Sequence, residues 1–342
     1  MAVSLWLREE SRSTERRTPL VPQDARALVG RGATVTVEDA PNRVFPTDEY
    51  AAVGCSIAPA GSWVDAPADA VVLGLKELPD EPHELRHRHV FFGHAYKAQP
   101  GADTLLRRFA DGGGTLLDLE YLADADGRRL AAFGYWAGYV GAALAVLHAA
   151  GVLGTPLTSG NRAALDAAVA AAPGSPRALV VGALGRCGRG ATDALTRAGI
   201  TPTAWDLAET RELDKRTLLD HDVLVNAVYT TGPVTPFLTR SDLADGAPRA
   251  LRTIADVTCD AGSAYNVLPI YHEITSWEAP TVRVADDPPV DLIAIDNLPS
   301  LLPREASIGF SADLSPHLSD LDTPPWRGCL ARFTEASEAR GA

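Results

Sequence analysis

The segment from Arg177 to Gly190, RALVVGALGRCGRG, constrains this chain more than any other. An apolar run of strand character breaks at Gly182-Ala183-Leu184-Gly185-Arg186-Cys187-Gly188, and an Ala-rich helical pattern follows. It reads as a strand, a tight turn and a helix N-terminus. Such a turn presents backbone N–H groups and the positive end of a helix to a ligand, while Gly185 and Gly188 keep side chains away, which suits a pyrophosphate. Set against G-x-G-x-x-G, the first position is Ala183 with an extra glycine, Gly182, just before it, so the fingerprint is a variant. A structural glycine turn without a ligand is the competing reading of the motif alone.

In a dinucleotide-binding unit an acidic residue about 20 positions on, at the end of the second strand, receives the adenosine ribose. Thr201–Trp205 followed by Asp206 supplies it. A carboxylate there repels the 2′-phosphate of NADP, and no arginine directly follows, so the expected cofactor is NAD. Asp206 also suits the N-cap of the next helix, a role compatible with the same position.

At 342 residues the chain exceeds what one core usually serves, so two domains are expected. Its formal charge of −13, with no basic stripe or tail, argues against a nucleic-acid or acidic-membrane partner and requires a local cationic pocket for any anionic substrate. Cys55, Cys187, Cys259 and Cys329 lack C-x-x-C spacing, and no signal peptide precedes them, which fits reduced thiols in a cytoplasm. Cys187, inside the glycine turn, reads as a small filler. The apolar stretch Ala131–Leu153 is interrupted by glycines and is expected to be a buried inter-domain helix rather than a membrane span.

The N-terminal part alternates in its own right: strand Val3–Arg8, a charged loop with Arg12, Arg16 and Arg17, helix Pro22–Val29, and strand Ala33–Val37. Two later runs, Ala70–Leu75 and His89–Phe92, end in Lys76 and His94. Parallel strands thus deliver a lysine and a histidine at their carboxyl ends, the edge where open α/β sheets bind ligands; each alone would read as an ordinary surface group. His83, His87 and His89 do not make a zinc set, because His87 and His89 precede the strand and nothing completes a tetrahedron. No metal is expected. After Asp206, strands at 223–228, 253–257, 281–284 and 291–295 complete a doubly wound sheet.

Five ordered motifs carry a resemblance across nearly the whole chain: Gly74-Leu-Lys-Glu-Leu-Pro79, Phe91-Phe-Gly-His-Ala-Tyr-Lys97, Gly127-Arg-Arg-Leu-Ala-Ala-Phe-Gly134, Gly182–Gly188, and Asp296-Asn-Leu-Pro-Ser-Leu-Leu-Pro-Arg-Glu305. The chain resembles the NAD-dependent, lysine-forming saccharopine dehydrogenases of the alanine dehydrogenase and transhydrogenase superfamily. The resemblance implies an α/β architecture of two Rossmann-like doubly wound domains with an inter-domain active-site cleft: residues 1–132 plus 303–342 as the substrate and catalytic domain, and 133–302 as the NAD-binding domain. It implies reversible hydride transfer between NAD and a secondary amine, with hydrolysis of the imine to lysine and 2-oxoglutarate. Lys76 matches a base and His94 an acid–base group. Arg17, Lys97 and Arg129 match substrate-cleft residues, and Glu77 and Glu120 match acidic neighbours that tune the Lys76 and His94 pair. Gly182, Gly185, Arg186, Gly188 and Asp206 fall on the cofactor side, with Asp296 near the nicotinamide. The partners are then small molecules, an amino acid and a 2-oxo acid, bound by a monomer or small homo-oligomer in the cytoplasm.

The chemistry asks for these residue types independently. Imine hydrolysis moves several protons, so one group accepts and another donates near neutral pH. Three substrate carboxylates give Arg12, Arg17 and Arg129 a reason to converge in an otherwise acidic protein, since guanidinium grips carboxylate bidentately. Three positions depart from the family pattern: Arg189 stands where a small residue is usual, Ala227 replaces a cysteine and so excludes a disulfide to Cys187, and Asn297 replaces a histidine. Open beside the main reading are a dehydrogenase of another opine-like N-(carboxyalkyl) amino acid or of a simple amino acid, and a non-enzymatic nucleotide-sensing protein.

Overall fold

The computed structural model describes residues 3–96, 101–230, 232–244, 246 and 248–341. Lys97 lies outside the described residues. The chain divides into two units, Met1–Ala132 with Ala306–Ala342, and Phe133–Glu305. The second crossing falls after Glu305, within the helix Pro303–Leu314, rather than at residue 302.

The first unit holds β1 (Ser4–Leu7), β2 (Thr34–Glu38), β3 (Ser56–Ala58), β4 (Val71–Leu73), β5 (Arg88–Phe91) and β6 (Thr115–Asp118). They form one parallel sheet in the order β3-β2-β1-β4-β5-β6. The order reverses between β1 and β4, and the carboxyl edge at such a switch point is where open α/β sheets bind ligands. Leu5, Leu7, Leu73, Val90 and Leu117 are all at most 2% exposed, as expected of parallel strands covered on both faces. Phe333, from the C-terminal helix Pro324–Gly341, joins the core of this unit with Trp63, Phe91, Phe109 and Leu116.

Two sequence expectations change here. Ser56–Ala58 adds an edge strand whose three residues are too few to show a periodicity. His89 lies inside β5 rather than before it, packed edge-on against Trp63, Phe91 and Phe109. Burial holds its imidazole well below the usual histidine range, as a neutral core group.

The second unit holds β7 (Ala178–Val181), β8 (Thr203–Trp205), β9 (Val223–Asn226), β10 (Thr253–Asp256), β11 (Val282–Asp286) and β12 (Pro289–Ile293), in the order β11-β12-β10-β9-β7-β8. All pairs are parallel except β11 with β12, which form a hairpin through Asp287-Pro288. The doubly wound sheet therefore carries one antiparallel edge strand. Alternate residues face opposite ways: Ala178 and Val180 join one hydrophobic cluster, Leu179 and Val181 the other, so both faces of the sheet are covered.

The helix Gly134–Ala149 is buried along Gly138–Leu147 and packs on the helix Arg186–Arg197. Small residues make that approach possible, because a side-chain carbon at Gly138 would strike the backbone of Cys187, and one at Gly190 that of Tyr135. The helix that carries the glycine turn is thereby seated against the core of its own unit.

Candidate active site

In the second unit the turn after β7 is drawn tightly onto β8. Gly182 N–H and Ala183 N–H both donate to Trp205 O (2.8 and 3.0 Å), and Gly182 takes φ +84°, which a side chain would oppose. A methyl at Gly188 would strike the Gly182 carbonyl, so this position lets helix and strand meet. Gly185 is the N-cap of the helix Arg186–Arg197 and supplies no capping side chain, which leaves the positive helix end to an external anion. Arg186 is the first helical residue and is half-buried, and Leu184 stands 74% exposed at the tip.

Asp206 follows β8 directly. Its Oδ2 accepts from Leu184 N–H and its Oδ1 from Leu207 N–H (both 2.9 Å), while Glu209 returns a bond to the Asp206 N–H as a capping box. The carboxylate is thus both the N-cap and a tie to the glycine turn, with lone pairs left for further donors. Asp296 is exposed after β12. Burial, aided by the charges of Asp256 and Asp296, pushes the Cys259 thiol well up, which places Asp296 beside the loop that leaves β10.

The three departures are all local to this unit. Arg189 is exposed, and its Nη1 reaches Leu184 O at 3.4 Å. Ala227 N–H extends the β7 pairing by donating to Val181 O (2.9 Å), and Asn297 Oδ1 accepts from Trp277 Nε1 (3.1 Å). Among the described residues no disulfide forms and no three His, Cys, Asp or Glu side chains come together as a metal site.

In the first unit the charged loop after β1 meets the loop after β4. Leu75 N–H and Lys76 N–H donate to the two oxygens of Glu10 (2.7 and 2.8 Å), Arg8 donates to Lys76 O, and Ser11 Oγ donates to Glu77 O (2.7 Å). Arg12 pairs with Glu77. Arg17 is 4% exposed and grips Glu15 with Nε (2.9 Å) and Nη2 (2.7 Å), its own N–H adding a third bond. Burial alone would raise Glu15, yet the bonds from Arg17 and the nearby charge of Lys76 hold it below the usual carboxylate range. Glu77 is likewise lowered against burial, by Arg12 first and then by Lys76. Lys76 is half-buried, close enough for its charge to act on Glu15 and Glu77.

Beside it, on the neighbouring strands, His94 follows β5 with φ +50°, and its Nδ1 lies 3.2 Å from Glu120 Oε2. Its ring stacks on Phe92 at 6.4 Å. Asp118, fully buried, accepts from Glu120 N–H (2.9 Å) and so sets that turn; burial raises its carboxyl, while His94 opposes the shift. Phe92 N–H donates to Leu75 O at 3.2 Å, which ties the lysine and histidine loops together. Arg129 is exposed on the hairpin after Glu120, where it bridges Ala123.

The structure thus gathers Lys76, Glu77 and Arg17 in one cluster and His94 with Glu120 in the adjoining one. The sequence reading missed Arg8, Glu10 and Glu15. Their only signal was the density of charge between Arg8 and Arg17, which looks the same whether a loop is solvated or folded inward.

The fold is the architecture shared by alanine dehydrogenase and transhydrogenase. The family "Alanine dehydrogenase/PNT, N-terminal domain" matches residues 6–140. An L-alanine dehydrogenase structure superposes with a TM-score of 0.68 at 18% identity over 97% of this chain and 94% of its own, and the transhydrogenase from Sinorhizobium meliloti with 0.68 at 16% over 95% and 97%. At such identity the likeness is one of fold. The saccharopine dehydrogenase [NAD(+), L-lysine-forming] of Neurospora crassa is 41% identical over 97% of this chain and 95% of that protein, and that of Candida glabrata 40% over 95% of each. The chain belongs to the family of NAD-dependent, L-lysine-forming saccharopine dehydrogenases.

Proposed function

We propose that this protein interconverts saccharopine, NAD+ and water with L-lysine, 2-oxoglutarate, NADH and a proton. The observation that carries the reading is the similarity to saccharopine dehydrogenases along nearly the whole length of both chains. The second unit is the NAD-binding domain, with Gly182, Gly185, Arg186 and Gly188 at the pyrophosphate, Asp206 at the adenosine ribose and Asp296 toward the nicotinamide. The open helix end at Gly185 and the tied but unsaturated Asp206 fit that group. Bound there, NAD+ would supply the hydride acceptor for the carbon of the substrate C–N bond.

The first unit supplies the proton transfers. Lys76 takes the proton from the secondary amine as hydride leaves. The C=N bond then accepts water, and His94, oriented through Nδ1 by Glu120, moves protons onto the nitrogen and off the hydroxyl as the carbinolamine collapses to lysine and the oxo acid. Arg17, Lys97 and Arg129 attract the substrate carboxylates, and Glu77 and Glu120 temper the charge of the pair. Four cysteines without a disulfide fit a reducing cytoplasm, and no helix of the described residues is long and apolar enough to cross a membrane.

An NADH-oxidation screen pairing lysine, ornithine, other amino acids and ammonia with 2-oxoglutarate, pyruvate and glyoxylate tests the reading. Lysine with 2-oxoglutarate is expected to give the highest kcat/KM. A better rate with ammonia, or with another amino acid, would overturn it.

A further inference from the structure

We propose that Arg8 and Glu10 act as a buried positioning clamp for Lys76, aiming its side chain by holding both of its flanking peptide groups. The proposal rests on the reading of Lys76 as the acid–base group. Glu10 takes the N–H of Lys76 (2.8 Å) and of Leu75 (2.7 Å) on separate oxygens, and Arg8 gives Nη2–H to the Lys76 carbonyl. One residue is thus gripped on its amino side by an anion and on its carbonyl side by a cation. The two also face each other, with Arg8 Nη1 3.5 Å from Glu10 Oε2 and side chains only 1% and 8% exposed.

The arrangement is built for the lysine loop rather than for the stability of the pair. Replacing a buried ion pair by apolar side chains is often neutral or stabilising, so burial of charge is weak evidence of a stabilising role. Here Arg8 Nε has no hydrogen-bond partner among the described residues, an added desolvation cost. Its guanidinium lies against Gly74, where a methyl would fall on it, so the sequence leaves out a side chain to admit this contact. Arg8 Nη1 also donates to Glu9 O (2.8 Å), Arg43 donates to Arg8 O (3.2 Å), and the Arg8 guanidinium lies 5.8 Å from the centre of the Phe91 ring, so the clamp is itself held from three sides. The peptide groups on both sides of Lys76 are thereby restrained, which fixes where its side chain starts. A misplacement of about 1 Å in a reacting group can cost about 10²-fold, which is the scale on which such a clamp matters.

The test is a double-mutant cycle in the full-length protein. Glu10→Gln, Arg8→Met and Arg8→Lys are each made alone and in Lys76→Met, and kcat, KM for NADH and melting temperature are measured. Alone, Glu10→Gln and Arg8→Met are expected to lower kcat about 10- to 100-fold with KM for NADH within about twofold, and Arg8→Lys to recover part of the loss. In Lys76→Met the same changes are expected to move kcat by less than about twofold, because a residue acting only through Lys76 has nothing left to position. Losses that multiply fully onto Lys76→Met, or single variants with kcat within about twofold of the parent, would overturn the clamp. Should Glu10→Gln or Arg8→Met fail to fold, Arg8→Lys keeps the buried charge without the fork and is judged by the same cycle. Near-normal turnover of Lys76→Met alone would overturn the assignment of Lys76, and the clamp with it, and would show that the underlying reading was at fault.

Discussion

The two units carry the same kind of parallel sheet and use its carboxyl edge in opposite ways. In each, the second strand of the first strand-helix-strand unit delivers a carboxylate. Asp206 follows β8, half-buried, with three N–H donors, from Leu184, Leu207 and Glu209, and room for another. Glu38 ends β2, fully buried, and accepts from Trp6 Nε1 (3.0 Å), Glu9 N–H (2.8 Å), Gly61 N–H (3.0 Å) and Trp63 N–H (2.6 Å). Four donors leave it nothing to offer a ribose. The loops differ in the same sense: a four-residue glycine turn after β7 opens onto a helix end, whereas after β1 the chain runs from Arg8 to Val21 without a glycine and folds its charges inward. Both edges lie at a point where the strand order reverses, and the first loop decides whether backbone groups or side chains line it.

The sharpest way to break this comparison is to remove side-chain chemistry from the first edge only. Lys76→Met and His94→Gln are each expected to lower turnover by about 10²- to 10⁴-fold, the usual worth of a general acid–base group, with NADH binding unchanged by fluorescence titration. The pH profile should lose one limb in each single variant. If both keep near-normal turnover and two limbs, the first edge is not where the chemistry lies.

Next in size is the buried pair beneath it. Arg17→Ala leaves Glu15 uncompensated at 3% exposure, and a loss of about 3–5 kcal/mol in unfolding free energy is expected from denaturant titration. The sign with pH follows from the lowered Glu15. Its contribution is present above the ordinary value of 4.5 and is lost as pH falls through the folded value, so the gap between parent and variant should narrow toward acid. If Arg17 also meets a substrate carboxylate, KM for 2-oxoglutarate or saccharopine rises while that for NADH stays; a parallel rise in both would make it a purely structural residue.

The smallest effect probes the second edge. Asp206→Asn keeps the helix cap, because asparagine caps as well as aspartate, but loses charge-assisted bonds to the ribose. NAD is expected to bind about tenfold more weakly by calorimetry, with a small fall in melting temperature because the single amide oxygen keeps the cap but leaves Leu184 N–H without its tie. Asp206→Ala should show the same weakening plus about 1 kcal/mol of stability lost with the cap. Unchanged NAD affinity in Asp206→Asn would reduce the residue to a cap and erase the contrast with Glu38.

How much of this was legible in the sequence follows the range of the forces involved. The glycine turn, Asp206, and the strands that end at Lys76 and His94 show themselves through local patterns, because turn geometry, strand periodicity and helix capping are set by neighbours along the chain. The alternation of strand and helix, with motifs spread in order, was enough to reach the family. The inward fold of Arg8 and Glu10 was not legible, since a dense charged loop reads as solvated until their partners 66 or 68 residues away are known, and the burial of the Glu15–Arg17 pair was no more so. Nor could sequence tell that His89 is a neutral core residue, that β11 reverses direction, or that Glu38 and Asp206 stand at like positions with opposite duties. Burial, and with it the cost or worth of a charge, depends on which segments of the chain meet, and only the tertiary structure decides that.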